Sequence, residues 1–323
     1  MVPALKALHL QWPSAKLHVL VREEAVPVLE NIPWITKVWG IPKNLNLLKF
    51  RSLWKTLFEL RRHRFERSVD FEGNDRGAVL SLLIGAKERL GSMASRGFAG
   101  RRHCYTDKIQ KAPNGTHEVY RDLHTLEAWN VLPPPSLDAE VRPDPRLAGF
   151  AESLLPVRGA VLAHLSTSQQ KKEWPIKFWA EIAHRAARAR IPLFFSSGIS
   201  PREQSLLAEL KERAPDASLL SQCPNLASFI AVIHRAGVFV SGDTGPLHLA
   251  AGLGVPSIGI FGPSDINQWL PMVASCTGLS GSKCTCSGHA QVCGRQLPCI
   301  QGVTVDALWE QIGKLYARSS DSR

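Results

Sequence analysis

The feature that most constrains the fold is the segment of residues 241–264, which reads SGDTGPLHLAAGLGVPSIGIFGPS. It follows the apolar run 237–240, whose β-branched and aromatic residues are typical of a buried parallel strand. The turn 243–245 comes next, and Pro246 suits the first position of a helix that ends at the following glycines. Residues 255–261 then start another strand. The segment therefore predicts a strand–turn–helix–strand unit of a parallel α/β sheet.

The turn of this unit carries side chains that suit an anionic ligand with hydroxyl groups. A helix that follows a parallel strand presents free backbone N–H groups and the positive end of its dipole. The turn adds the carboxylate of Asp243 and the hydroxyl of Thr244, followed by Gly245, and His248 lies one turn into the helix. The amides fit a phosphate and the carboxylate fits sugar hydroxyls. An ordinary βαβ unit with a capping threonine is the alternative interpretation.

A second polar cluster follows the strand predicted at residues 160–165. Its hydroxyl groups are those of Ser166, Thr167 and Ser168, and Lys172 comes shortly after them. Hydroxyls and an ammonium beyond the carboxyl end of a strand suit a diphosphate. A cluster of this kind before a helix is also the usual composition of an N-cap, and that alternative stays open.

The length and the pattern of elements predict two domains. A chain of 323 residues that is 44% hydrophobic can bury a large core. Helices and strands alternate in both halves, with helices predicted at 47–62, 176–189 and 201–213 and a strand at 193–196. The proline-rich stretch 132–145 has the composition of a linker. We therefore expect an α/β fold with two doubly wound, Rossmann-like domains facing a cleft, at residues 1–150 and 151–323.

The net charge of +11 favours an anionic partner. The densest basic stretch, Lys43–Arg67, suits nucleic acid, an acidic membrane surface or a phosphorylated substrate, and a solvated helix face is the alternative. No zinc finger or helix-turn-helix motif is visible, which argues against nucleic acid. No apolar run reaches the roughly 18 residues that span a bilayer, and no signal peptide is visible. We expect a cytoplasmic protein.

Without an export signal, the seven cysteines are expected to be reduced thiols. Five of them lie close together in one glycine- and serine-rich segment: Cys276, Cys284, Cys286, Cys293 and Cys299. Their spacing matches no paired Cys-x-x-Cys knuckle, so a loop of buried thiols is favoured over a zinc site. We therefore predict neither a metal nor a cofactor.

Residues 241–264 closely resemble the donor-binding signature of the ADP-heptose:lipopolysaccharide heptosyltransferases, glycosyltransferase family nine. The matching positions are Asp243-Thr244-Gly245, His248, Pro256 and Phe261-Gly262-Pro263-Ser264. The resemblance implies a GT-B fold and an inverting, metal-independent transfer of heptose from ADP-heptose to a lipopolysaccharide inner-core acceptor of the lipid A–Kdo type. It also implies an enzyme that acts in peripheral contact with the anionic inner face of the cytoplasmic membrane.

The resemblance also implies roles for individual residues. Thr167, Ser168 and Lys172 would hold the nucleotide phosphates, and Glu203 would bind the ribose, with a first-turn helix glutamate as the alternative for Glu203. Arg76 would bind an anionic group of the acceptor, with a surface arginine as its alternative. Donor binding would be completed by Asp243, Thr244, Gly245 and His248, and the catalytic residues would be Lys172 and Asp243.

The amino terminus departs from the family pattern. Residues 2–8, VPALKAL, resemble the helix that in the family follows a central first strand and a Gly-Asp loop. We expect that strand and loop to be missing from this sequence, and with them the Asp expected to act as general base. A domain without its central strand would have unpaired strand edges. A catalytically impaired protein that binds nucleotide sugars or anionic glycans is therefore the alternative function.

Overall fold

The computed structural model describes residues 1–43, 47–93, 97–282, 284, 293 and 299–321. The chain divides into two compact units, Met1–Leu137 and Asp138–Arg323. The division falls within the proline-rich stretch of the sequence. The domain boundary expected after residue 150 lies inside the second unit, in the helix Ala148–Leu154.

The first unit alternates helices and strands, as the hydrophobic pattern predicts. Its helices are α1 (Val2–Gln11), α2 (Val26–Leu29), α3 (Leu47–Arg62), α4 (Asp75–Ile84) and α5 (Glu118–Leu126). Its strands are β1 (His18–Arg22), β2 (Lys37–Ile41), β3 (Arg67–Asp70), β4 (Glu88–Met93) and β5 (Asp107–Gln110). The predicted helix at 47–62 is confirmed, whereas β4 and β5 were not predicted.

The strands of the first unit pair in two separate parallel sheets. One contains β1 and β2, and the other has the order β3-β4-β5. Between these two sheets, no strand pairing occurs in the part of the chain that the structure describes.

The second unit contains the larger sheet. Its helices are α6 (Ala148–Leu154), α7 (Ile176–Ala189), α8 (Pro201–Arg213), α9 (Leu226–Arg235), α10 (Gly245–Gly252), α11 (Ile266–Trp269) and α12 (Val305–Asp321). Its strands are β6 (Val161–His164), β7 (Leu193–Ser196), β8 (Ser218–Leu219), β9 (Val238–Gly242), β10 (Ser257–Phe261) and β11 (Cys276–Ser280). The strand–turn–helix–strand unit predicted from residues 241–264 is confirmed as β9, α10 and β10.

All strands of the second sheet are parallel, in the order β11-β10-β9-β6-β7-β8. The chain proceeds outward from β6 in one direction and from β9 in the other, so the direction of winding reverses between these neighbours. The central strands are fully buried at Val161, Val238 and Ile258 because helices cover both faces of such a sheet. Ligands of open α/β sheets bind at the carboxyl ends of the strands where the winding reverses.

Candidate donor site

Three loops of the second unit meet where the winding of the sheet reverses. They follow β7, β6 and β9, which are neighbours in the sheet. Because parallel strands end at the same edge, the polar residues of these loops are brought together. The loop after β6 carries Thr167 and Lys172, the loop after β9 carries Asp243, and the loop after β7 leads to Glu203.

Lys172 and Asp243 form an ion pair across the two central loops. Lys172 Nζ donates a hydrogen bond of 2.7 Å to Asp243 Oδ2, although the residues are 71 positions apart. The Asp243 side chain is 7% exposed and that of Lys172 is 22% exposed. The ammonium therefore reaches solvent while the carboxylate is almost buried. A ligand that binds here would contact the ammonium of Lys172, whose partner carboxylate, that of Asp243, is almost buried.

The loop after β6 is held by an internal turn and by an arginine from α8. Thr167 Oγ1 donates to the carbonyl of Gln169 at 2.7 Å. Arg202 Nη1 donates to Glu173 Oε1 at 2.6 Å, and Arg202 Nη2 donates to the carbonyl of Thr167 at 2.8 Å. Glu173 Oε1 also accepts from the Thr167 amide at 3.1 Å. The turn is thus fixed from both sides, while Ser168 remains exposed.

A buried hydrogen-bond network lies beneath this loop. His164 Nδ1 is 3.1 Å from Ser196 Oγ, and His164 Nε2 is 3.3 Å from Ser166 Oγ. Ser166 Oγ also accepts from the amide of Gly198 at 2.7 Å, which links β6 to the loop after β7. Burial lowers the pKa of His164 to about 4, so the imidazole is neutral at physiological pH.

Glu203 forms a capping box at the start of α8. Its Oε2 accepts from the amide and the hydroxyl of Ser200 at 3.1 and 2.6 Å, and Ser200 Oγ accepts from the Glu203 amide. Burial would raise the pKa of Glu203, but hydrogen bonds from Ser200 outweigh it and the pKa is lowered. The carboxylate is charged and lies over Gly198, where an added Cβ would collide with it. The structure therefore shows Glu203 acting as a first-turn helix glutamate. Its contact with the ribose of the nucleotide stays a prediction.

The start of α10 is open to a ligand. Thr244 is the N-cap residue of α10, but its side chain makes no capping hydrogen bond. An added Cβ at Gly245 would meet no atom within 4 Å. His248 is exposed one turn further along the helix. The alternative interpretation of this segment requires the Thr244 hydroxyl to cap the helix. In the structure this hydroxyl makes no capping hydrogen bond.

Arg76 lies in the first unit, in the first turn of α4. Its Nη2 donates to the carbonyl of Pro42 at 2.8 Å, so the side chain joins α4 to the segment after β2. The neighbouring Asp70 is buried and accepts a 2.6 Å hydrogen bond from Tyr105, whose pKa is raised by burial and by this bond. Sequence reasoning did not identify Tyr105, His164 or Arg202, because their partners lie on distant strands and helices.

The cysteines do not form a metal site in the described part of the chain. No group of three His, Cys, Asp or Glu side chains there could hold a metal ion. Cys276 begins β11, and burial raises the pKa of its thiol to about 12. Cys299 is buried, and Cys284 and Cys293 are half-buried. The prediction for Cys286 lies outside the described residues.

The family assignment comes from comparison of the whole chain with known proteins. The family model of glycosyltransferase family 9 (heptosyltransferase) matches residues 50–293. The chain belongs to glycosyltransferase family 9. It is therefore a glycosyltransferase of the heptosyltransferase kind, and the resemblance drawn from residues 241–264 is confirmed.

Individual relatives and solved structures agree with this assignment. The lipopolysaccharide core heptosyltransferase OpsX of Haemophilus influenzae is 24% identical over 258 residues, which cover 78% of this chain and 72% of that protein. The glycosyl transferase family 9 structure from Veillonella parvula superposes with a TM-score of 0.82 at 16% identity, covering 98% of this chain and 92% of that one.

The structure of the Escherichia coli ADP-heptose lps heptosyltransferase II superposes with a TM-score of 0.75 at 18% identity, covering 99% and 95% of the two chains. At these identities the structural likeness shows the fold alone. The predicted GT-B class with two Rossmann-like domains is confirmed. Among the described residues, no helix is long and apolar enough to cross a membrane.

Proposed function

We propose that this family 9 glycosyltransferase transfers heptose from ADP-heptose to the inner core of lipopolysaccharide, with inversion and without a metal. The observation that carries the proposal is the Lys172–Asp243 ion pair beside the open start of α10. A cation and free helix amides suit the diphosphate of a nucleotide sugar, and a carboxylate suits the sugar hydroxyls. The similar E. coli protein, an ADP-heptose lps heptosyltransferase, supports this donor.

The proposed reaction is a single displacement. An acceptor hydroxyl attacks the anomeric carbon, the bond from that carbon to the diphosphate oxygen breaks, and ADP leaves with the electron pair. The developing negative charge is stabilised by Lys172 and by the backbone amides of Thr244 and Gly245. Thr167, Ser168 and His248 complete the donor pocket, with Glu203 on the ribose. The proton of the attacking hydroxyl requires a base, and we assign that role to no residue of this sequence.

The acceptor would bind to the first unit, with Arg76 contacting an anionic group of the lipid A–Kdo core. The enzyme would work in the cytoplasm, in peripheral contact with the anionic inner membrane. The net charge of +11 supports this placement, because an anionic bilayer attracts lysine and arginine side chains near its surface. Nucleic acid is not part of the proposal.

Calorimetry and a transfer assay test the proposal together. The whole chain is titrated with ADP and with UDP, and then incubated with ADP-heptose and a lipid A–Kdo acceptor. Heat with ADP but not with UDP, followed by a heptosylated product, supports the proposed function. ADP binding without transfer favours the alternative, a catalytically impaired protein that binds nucleotide sugars or anionic glycans. Binding of UDP in preference to ADP contradicts the donor assignment.

A further inference from the structure

The outer surface of α3 combines cations with exposed aromatic side chains. Phe58 is 65% exposed and Trp54 is 48% exposed. Arg51, Lys55 and Arg62 are exposed on the same helix. At about 3.6 residues per turn, these five side chains occupy roughly 100° of the helix circumference. We call this set the basic–aromatic face.

The opposite side of α3 faces the interior of the first unit. Leu53, Leu57 and Leu60 are each less than 10% exposed and cluster with Trp39 and Ile41 of β2. This buried stripe attaches the helix to its unit, and the basic–aromatic face is exposed on the other side of the helix. Neighbouring exposed apolar side chains that are bordered by polar residues are typical of interaction surfaces.

A cavity of about 300 Å³ adjoins the carboxyl end of α3. Its lining residues are Lys37, Trp39, Glu59, Arg62 and His63. Lys37 Nζ lies 3.6 Å from the centre of the Trp39 ring, and the Arg62 guanidinium lies 6.0 Å from the Phe58 ring. Arg62 therefore belongs both to the cavity and to the basic–aromatic face.

Two observations set this cavity apart from the sites described above. Lys37 is the first residue of β2, so the cavity lies at the amino ends of the strands, whereas substrates of α/β sheets bind at the carboxyl ends. Two cations, Lys37 and Arg62, line the cavity together with one carboxylate, that of Glu59. Burial lowers the pKa of the adjacent His18, and the charges of His63 and Lys37 lower it further. The cavity suits an anionic group other than the sugar donor.

We propose that the basic–aromatic face and this cavity form a docking site for an anionic phospholipid bilayer. The cavity binds the phosphate of one lipid head group through Lys37 and Arg62, while Trp54 and Phe58 enter the interfacial layer. At membrane surfaces, aromatic side chains enter the interfacial layer and Lys or Arg side chains contact anionic head groups. The inference deepens the proposed function and rests on it, because it names the surface on which an enzyme with a lipid-linked acceptor meets the membrane.

The shape of the surface favours a bilayer over nucleic acid. Single-stranded nucleic acids bind in positively charged grooves, where bases stack on aromatic side chains. The basic–aromatic face is instead the convex outer side of one helix about 24 Å long. A broad bilayer surface can contact all five side chains at once.

Vesicle cosedimentation of the whole chain tests the proposal. The probes are phosphatidylcholine vesicles with and without phosphatidylglycerol, at roughly 0.1 M and 1 M salt. The variants are R51Q/K55Q/R62Q, W54A/F58A and K37Q. The matched control, R188Q/R213Q/K314Q, removes three exposed cations from α7, α8 and α12 of the second unit.

The wild type should bind vesicles that contain phosphatidylglycerol and should dissociate at high salt. The three-charge variant should bind on the order of 100-fold more weakly, because each cation near an anionic surface contributes a factor of about five. K37Q should bind roughly fivefold more weakly. W54A/F58A should also bind less, and the control should bind as the wild type does.

Several results would overturn the proposal: no vesicle binding by the wild type, equal binding by the control and the three-charge variant, or capture of a single-stranded oligonucleotide in preference to vesicles. ADP titration of the same variants separates this outcome from a failure of the proposed function. If a variant binds vesicles more weakly but binds ADP as the wild type does, the substitution acts at the docking site. Loss of ADP binding in the wild type would count against the donor assignment and not against docking.

Discussion

The Lys172–Asp243 ion pair leads to our most detailed prediction. Two matched variants, K172M and D243N, each remove one charge and keep most of the side-chain volume. K172M leaves a carboxylate whose side chain is 7% exposed without its counter-charge, whereas D243N leaves an ammonium that is 22% exposed. The two variants should therefore differ in stability and in ADP affinity.

The magnitudes follow from the geometry of the pair. At 2.7 Å, the Coulomb attraction is about 6 kcal/mol at an effective dielectric constant near 20. Breaking a fully buried pair costs about 3–5 kcal/mol, and the partial exposure of Lys172 reduces this to roughly 2–3 kcal/mol in K172M. The melting temperature of the second unit should fall by about 4–12 °C. D243N should cost about 1 kcal/mol, because water can solvate the ammonium that remains.

Ligand binding should change in opposite directions. K172M removes a charged hydrogen bond to the diphosphate and should weaken ADP binding by roughly 10- to 100-fold. D243N releases the ammonium from its partner and should tighten ADP binding by about fivefold. Turnover of ADP-heptose should nevertheless fall in D243N, because the carboxylate that we assign to the sugar hydroxyls is lost.

Isothermal titration calorimetry with ADP, thermal denaturation and the transfer assay measure these three effects. The double variant K172M/D243N serves as the control, since it removes both charges and should be more stable than K172M alone. If both single variants weaken ADP binding equally, Asp243 does not face the sugar and the assignment is wrong. If neither variant changes ADP affinity, the diphosphate does not bind at this pair.

Three further predictions concern other residues. The wild type should lose about 3 kcal/mol of stability as pH falls from 6.5 to 4, because His164 binds a proton in the unfolded chain but not when it is buried in the folded protein. Urea denaturation should show that the stability of H164Q depends less on pH over that range. S200A should lower the stability of the second unit by about 1 kcal/mol through loss of the α8 cap, and an unchanged melting temperature would contradict the capping role. R76A should reduce transfer to the acceptor without changing ADP affinity in calorimetry, and a parallel loss of both would place Arg76 outside the acceptor site.

Much of the second unit could be predicted from the sequence. The helices at 176–189 and 201–213 and the strand at 193–196 have the predicted limits, because hydrophobic periodicity and Pro residues act locally. The first unit was predicted less completely. Strands β4 and β5 carry charged and polar residues in short runs, ERLGSM and DKIQ, which give little hydrophobic signal. The pairing of β4 with β3 and of β5 with β4 supplies the stabilisation that their own composition does not.

The sequence by itself determined the fold class, the family and the loop residues with suitable chemistry. Those features depend on short segments, and above all on residues 241–264, where turn chemistry and helix capping are local. Only the tertiary structure decided that Lys172 pairs with Asp243, that His164 contacts Ser196 beneath the loop after β6, and that Arg202 holds that loop. These contacts join residues far apart in the chain, and they depend on β6, β7 and β9 being neighbours in the sheet. Strand order is set by the packing of the whole unit, which no local pattern specifies.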